Sequence, residues 1–309
     1  MSILRSAFLA LSHNRPLRRF SERSALGRRL SSRFVAGMEI EDALRAAQSL
    51  QSQGMSSTLD SLGENVATPD QARRSAETYH RLLDAVSARK LNASISVKLT
   101  QMGMDLGRDL AAEIVSGLVD HAVATNNFVR IDMEDSRYTQ STIDLTRALH
   151  AKPANRGHVG VVIQAYLYRS AEDIAALTSE GIRIRLCKGA YQEPPNLAYP
   201  QKSDVDANYI QLTEKLLASG IYHGIATHDP AMIAAAKRFV QEKSISKSSF
   251  EFQMLYGIRR DLQRSLVAEG YNLRVYTPFG SEWYPYFMRR LAERPANLTF
   301  FLRAMATRG

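Results

Sequence analysis

The chain has 309 residues, 45% apolar and 23% charged, which suits one large α/β domain or two small ones and excludes global disorder. Its formal charge of +9 is concentrated: residues 1–35 carry eight arginines and one acid, Glu22, a net +7, which leaves only +2 for the other 274 residues and no basic face for nucleic acid. The single cysteine, Cys187, excludes an internal disulfide and a CxxC metal site. No apolar run approaches the ~18 residues of a membrane-spanning helix.

Residues 1–36 read as a basic helical arm preceding a single body at 37–309. The short apolar pieces at 3–4 and 7–11 are broken by Ser, His, Asn and Pro, a poor secretory core. Rich in Arg and Ser and poor in acids, the arm fits three readings: a structural arm, an arm resting on an anionic membrane surface, or a cleaved mitochondrial presequence. Next, "GMEIEDALRAAQSLQSQG" (37–54) has helical spacing and stops on Gly54.

From there a unit repeats, a short strand-like run followed by a helical stretch. The runs are "SSTLDSL" (56–62), "ASISVKL" (93–99), "FVRIDM" (128–133), "HVGVVIQAYL" (158–167), "IRIRLCKG" (182–189), "YHGIAT" (222–227), "SFEFQML" (249–255) and "LRVYTPF" (273–279). Between them lie amphipathic segments such as 68–90 and 109–126. Strands alternating with helices predict a parallel sheet, and eight units in about 250 residues predict a distorted (β/α)8 TIM barrel with extra N-terminal helices. There is no GxGxxG or GxxxxGK[ST] to support an open dinucleotide-binding sheet.

Chemistry on such a barrel sits where strands end, and the interior is expected to be filled by branched apolar side chains. The strand ends here are polar: Asp60, Lys98, Asp132 with Glu134, Gln164, Arg185 with Lys188, Thr227 with His228, Gln253 and Tyr276. One such residue is readily a solvated loop group; eight in succession predict a small-molecule site at one rim. Asp60 and Lys98, on neighbouring strands, are expected to pair. A metal site at His228 lacks a second ligand, since His223 lies five residues back along a strand and faces the other way. No GxSxG elbow supports a serine nucleophile, and Cys187 reads as packing.

Near the end stands "EWYPYFMRRLAERP" (282–295). A helix over 283–294 puts Tyr286, Arg289, Arg290 and Glu293 on one face. Spacing leaves two readings open: surface pairing of the arginines with Glu293, or a guanidinium clamp for a carboxylate beside an aromatic wall.

Taken together, "LGEN" (62–65), "SVKL" (96–99), "IDMEDS" (131–136), "VIQAYLYRS" (162–170), "RLCKGAYQEP" (185–194), "ATHD" (226–229), "FEFQMLYG" (250–257) and "RVYTPFGSEWYPYFMRRLAERP" (274–295) resemble the proline dehydrogenases, in particular their short, single-function bacterial branch. The likeness covers about residues 40–300. It implies a distorted barrel holding noncovalent FAD, oxidation of L-proline to 1-pyrroline-5-carboxylate as the first step of proline catabolism, and electron transfer to a membrane quinone. It further implies a substrate site of Lys98, Asp60, Leu255, Tyr276, Tyr286, Arg289 and Arg290. The implied flavin contacts are Gln164, Arg185, Lys188, Gly189, Ala190, Thr227 and His228, with Asp132 and Met133 beneath. Asp132 and Arg185 would be catalytic, Arg185 stabilising negative charge as the flavin accepts hydride.

Gln192 stands where longer bifunctional relatives have a tryptophan, which puts the local flavin contacts in question. By the same resemblance, Tyr276, where the hydroxyproline-oxidising branch tends to have a smaller residue, would favour proline over hydroxyproline. The alternatives are a flavoenzyme for another cyclic amino acid such as hydroxyproline, or a non-catalytic barrel that binds a membrane or a partner. The product is expected to pass to a separate 1-pyrroline-5-carboxylate dehydrogenase. The expected location is cytoplasmic with peripheral contact on the inner membrane, or mitochondrial in a eukaryote.

Overall fold

A computed structural model describes residues 33–284 together with Tyr286 and Met288. Most of the basic arm, and Arg289 and Arg290, lie outside the described residues.

Helix α1 (Ile40–Gln51) precedes the first strand. Then strands and helices alternate: β1 (Ser56–Ser61), α2 (Pro69–Ala88), β2 (Ala93–Val97), α3 (Arg108–Ala124), β3 (Val129–Ile131), α4 (Thr139–Ala151) and β4 (Val159–Gln164). The second half continues with α5 (Ser170–Ser179), β5 (Arg183–Cys187), α6 (Lys202–Ala218), β6 (Gly224–Ala226), α7 (Pro230–Glu242), β7 (Glu251–Leu255), α8 (Arg260–Ala268) and β8 (Asn272–Phe279). All eight strands are parallel and each pairs with the next. β8 returns to β1 through a six-residue register running from Ser56 opposite Arg274 to Ser61 opposite Phe279, so the sheet closes into a barrel. Helix α1 packs against β8 and β1, so the helix over the closing seam comes from before the first strand.

Local chemistry sets the helix starts. Thr68 accepts from the Gln71 amide and Pro69 supplies a preset first turn for α2; Asp229 and Pro230 do the same for α7, with Asp229 accepting from the Ala231 amide at 3.0 Å. At α1, Asp42 Oδ2 accepts from the amides of Met38 and Glu39 at 2.9 and 3.0 Å.

The outward positions of the strands are apolar and sealed under the helices. Leu59, Ile95, Val129 and Ile131 pack with α1 to α3, while Ile184, Leu186, Ile225 and Phe252 pack with α5 to α7. Each such side chain contributes about 1.5–3 kcal/mol by leaving water.

The inward positions depart from the apolar filling expected of a barrel interior. Arg274 of β8 reaches across to the Ser94 hydroxyl of β2 (3.2 Å), and Arg185 of β5 reaches Ser96 of β2 (3.3 Å); neither pair of strands is adjacent, so these side chains cross the interior. Arg130, Asp132, Gln253 and Glu251 lie in the same column and are all buried. Asp132 and Glu251 each meet a guanidinium inside the ring, and Arg130 donates to the carbonyls of Val161 and Arg183; an unpaired charge there would cost several kcal/mol.

Candidate active site

At the C-terminal mouth the strand ends converge on one hydrogen-bonded assembly. Lys98, the residue after β2, donates to both carboxylate oxygens of Asp60 at 3.0 Å, so the expected pair is present. Asp60 is wholly buried and also accepts from the Tyr79 hydroxyl of α2 at 3.3 Å. Burial alone works to lower the Lys98 pKa, but the charges of Asp60 and Asp132 outweigh it and hold the ammonium above its ordinary range.

Asp132, the residue after β3, is the junction. It accepts from the Ser96 hydroxyl at 2.5 Å, from Arg185 Nη1 at 2.8 Å and from the Tyr276 hydroxyl at 2.9 Å. Tyr276 lies 3.5 Å from Lys98 Nζ, which joins the two ion pairs into one network. Burial, then the charges of Asp132 and Asp60, push the Tyr276 phenol well up, so it stays a donor at neutral pH. Below, Arg185 Nε donates to Gln253 Oε1 at 2.5 Å, Gln253 donates to Glu251 at 2.6 Å, and Arg274 closes on Glu251 at 2.7 Å. The column holds four basic side chains (Lys98, Arg130, Arg185, Arg274) against three carboxylates (Asp60, Asp132, Glu251), with Arg130 held by the carbonyls of Val161 and Arg183. Within the column, Arg185 Nη2 is buried with no hydrogen-bond partner among the described residues. A buried donor at the mouth of a site is available to a ligand or a water.

The family model described as Proline dehydrogenase matches residues 43–303. Proline dehydrogenase 1 of Bacillus subtilis (strain 168) is 42% identical over 304 residues, 98% of this chain and 99% of that protein. The chain belongs to the proline dehydrogenase family. Proline dehydrogenase of Deinococcus radiodurans is 43% identical over 279 residues, 89% of this chain and 90% of that one. Among solved structures, proline utilization A (PutA) from Bdellovibrio bacteriovorus inactivated by N-propargylglycine superposes with a TM-score of 0.79 at 26% identity, over 85% of this chain and 32% of that one. The chain thus spans about a third of the solved PutA chain it matches.

The remaining predicted residues of this proline dehydrogenase family member fall around the same mouth. Gln164, ending β4, donates to the Glu134 carbonyl at 2.7 Å. Met133 is buried beside Asp132. After β5, Lys188 bridges Asp206 (2.5 Å) and Asp229 (2.8 Å), while Ala190 is exposed. Gly189 has φ +113°, and a Cβ there would lie 2.4 Å from the Tyr166 ring, so backbone conformation and close approach both require glycine. Thr227 Oγ1 accepts from the Asp229 amide at 3.0 Å, and His228 Nε2 accepts from the Leu255 amide at 2.8 Å, pinning the tip of β7. Tyr286 is buried with Val35, Leu62, Trp283, Tyr284 and Met288, just beyond β8. Arg289 and Arg290, the predicted clamp, lie outside the described residues.

Several participants escaped the reading of strand ends: Ser96, Tyr79, Glu251, Arg274 and the inward partnership of Gln253 with Arg185. For Ser96 a signal existed, since "SISVK" alternates polar and apolar throughout and not only at its end. Tyr79 sits on the buried side of a helix and carries no such signal. Among the described residues, no cluster of His, Cys, Asp or Glu could hold a metal ion, and no helix is long and apolar enough to cross a membrane.

Proposed function

We propose that the chain is an FAD-dependent dehydrogenase that oxidises L-proline to 1-pyrroline-5-carboxylate and hands the electrons to a membrane quinone. The observation that carries this reading is Arg185: a buried cation fixed on Asp132 and Gln253, with Nη2 left as a donor unpaired among the described residues at the barrel mouth. That is the donor set a cofactor gaining negative charge requires.

Gln164, Arg185, Lys188, Gly189, Ala190, Thr227 and His228 would hold the flavin, with Asp132 and Met133 beneath it. When bound, FAD supplies acceptance of the hydride equivalent leaving proline C5 as the C=N bond forms. The protein does the rest. Lys98, kept protonated by Asp60, offers a cation to the substrate carboxylate, and Arg289 and Arg290 complete the clamp. Because Asp60 already occupies Lys98, the charge for an incoming carboxylate has to come largely from that arginine pair. Leu255, Tyr276 and Tyr286 wall the pyrrolidine ring, and Tyr276 leaves little room for a ring hydroxyl, which favours proline over hydroxyproline. The arm at 1–36 supplies peripheral contact with an anionic membrane, and the product passes to a separate 1-pyrroline-5-carboxylate dehydrogenase.

The test is direct. Purified protein supplied with FAD is expected to be yellow and to lose its flavin absorbance with L-proline but not D-proline. A colourless protein that takes up no FAD, or one that L-proline does not bleach, refutes the reading. Removal of residues 1–32 is expected to weaken binding to anionic liposomes; unchanged binding removes the membrane role.

A further inference from the structure

Two of the three nitrogens of the Arg185 guanidinium are committed. Nη1 donates to Asp132 and Ser96, Nε donates to Gln253, and the group lies 5.2 Å from the centre of the Tyr276 ring. A planar fork held at two nitrogens cannot turn, so the direction of Nη2 is set jointly by Asp132 and Gln253. Asp132 is a charged partner. Gln253 is neutral and reversible, since a glutamine amide turned over would present NH2 to the Arg185 N–H and repel it.

Three features keep Gln253 from turning. Its Nε2 donates to Glu251 Oε1 at 2.6 Å, and a carboxylate can only accept. Glu251 is wholly buried, yet Arg274 overcomes the upward push of burial and holds its carboxyl below the ordinary range, so it stays ionised. On the neighbouring strand β6 stands Gly224, where a Cβ would lie 2.3 Å from Gln253 Nε2; the amide fills the space a side chain would take. Arg274 is in turn held by the Ser57 carbonyl (2.7 Å) and the Ser94 hydroxyl. The chain of bonds therefore runs from the lower barrel up to one guanidinium.

We propose that Gln253 is a positioning residue for the flavin: locked by Glu251 and Gly224, it fixes Arg185 so that Nη2 is the donor offered to the cofactor, and thereby favours transfer of the electron pair from substrate. This rests on the flavin reading above. A donor aimed in advance stabilises developing negative charge without reorganising, whereas a loosened guanidinium loses that advantage.

The variants are Gln253→Met, which keeps the length and removes the acceptor, and Glu251→Gln, which removes the amide lock while leaving Gln253 in place. FAD affinity, flavin midpoint potential and steady-state kinetics are measured on each beside the wild type. Gln253→Met is expected to retain FAD, to shift the midpoint potential negative and to lower kcat about ten- to a hundredfold, with KM for proline within about twofold. Glu251→Gln is expected to move the potential and kcat in the same direction by less. Gln253→Met with bound FAD and wild-type potential and kcat overturns the inference and leaves the flavin reading standing. A wild type that binds no FAD overturns both. Should Gln253→Met not fold, Glu251→Gln decides, and an unchanged potential in it overturns the proposal.

Discussion

Leu186 and Arg185 are consecutive residues of β5, and both are almost entirely buried, but they are buried in different ways. Leu186 faces out into the apolar layer beneath the helices; Arg185 crosses the interior to Asp132, Ser96 and Gln253. The outer layer is non-directional, and any side chains of suitable volume would fill it at similar cost. The inner column is directional and pairwise, so that removing one member strands another in a place without water. Stability is spread over the outer face, while chemistry is concentrated on the inner one. Substitutions on the two faces should separate these properties.

The largest effect is expected from Asp132→Ala, which leaves Arg185, Tyr276 and Ser96 without their common acceptor. Turnover with a soluble dye acceptor should fall about a thousandfold, and urea titration should show a loss of about 3–5 kcal/mol. Near wild-type turnover would mean that the column is structural only. Next comes Arg290→Met. Because Lys98 is already paired with Asp60, removal of a cation of the proposed clamp should raise KM for proline about a hundredfold, or roughly 3 kcal/mol, with FAD retained. Loss of FAD instead would move that arginine to the cofactor.

On the outer face, Leu186→Ala should cost about 2–5 kcal/mol of stability and leave kcat of the folded enzyme unchanged at temperatures well below its melting. A collapse of kcat there would erase the separation between the faces. The smallest effect concerns pH. His223 is fully buried; its Nδ1 accepts from the Ile184 amide and its Nε2 meets the Ser219 hydroxyl, each at 3.0 Å. Burial, followed by Arg130 and Arg183, lowers its pKa to about 3. The unfolded chain takes up that proton near the ordinary value of about 6.5, so the stabilisation is complete above that pH and is lost progressively as pH falls toward 3. The urea midpoint of the wild type should therefore drop between pH 7 and 4 more steeply than that of His223→Asn; parallel curves would count against this.

Much of the fold was legible because it rests on local periodicity. Alternation in "SISVK", "VRIDM" and "EFQML" marks strands whatever the rest of the chain does, and eight such runs separated by amphipathic stretches leave few architectures open. The Asp60–Lys98 pair was legible too, because adjacent parallel strands in sequence are adjacent in a barrel. The strand positions beneath the rim were read less well. The interior was expected to be apolar, whereas many inward positions of β1, β2, β3, β5, β7 and β8 are polar and hydrogen-bonded inside the ring, Arg185 and Arg274 reaching across it.

The sequence by itself determined the strand count, the alternating faces and the polar residues at the mouth, since these follow from propensity and a period of two along each strand. Only the tertiary structure decided that Asp132 would be shared by Ser96, Arg185 and Tyr276, and that Gln253 would hold Arg185. Apart from Ser96 with Asp132, which sit on neighbouring β2 and β3, those contacts join strands that are not neighbours, and they come into reach only when β8 closes on β1 and the register fixes which inward side chains meet at one height.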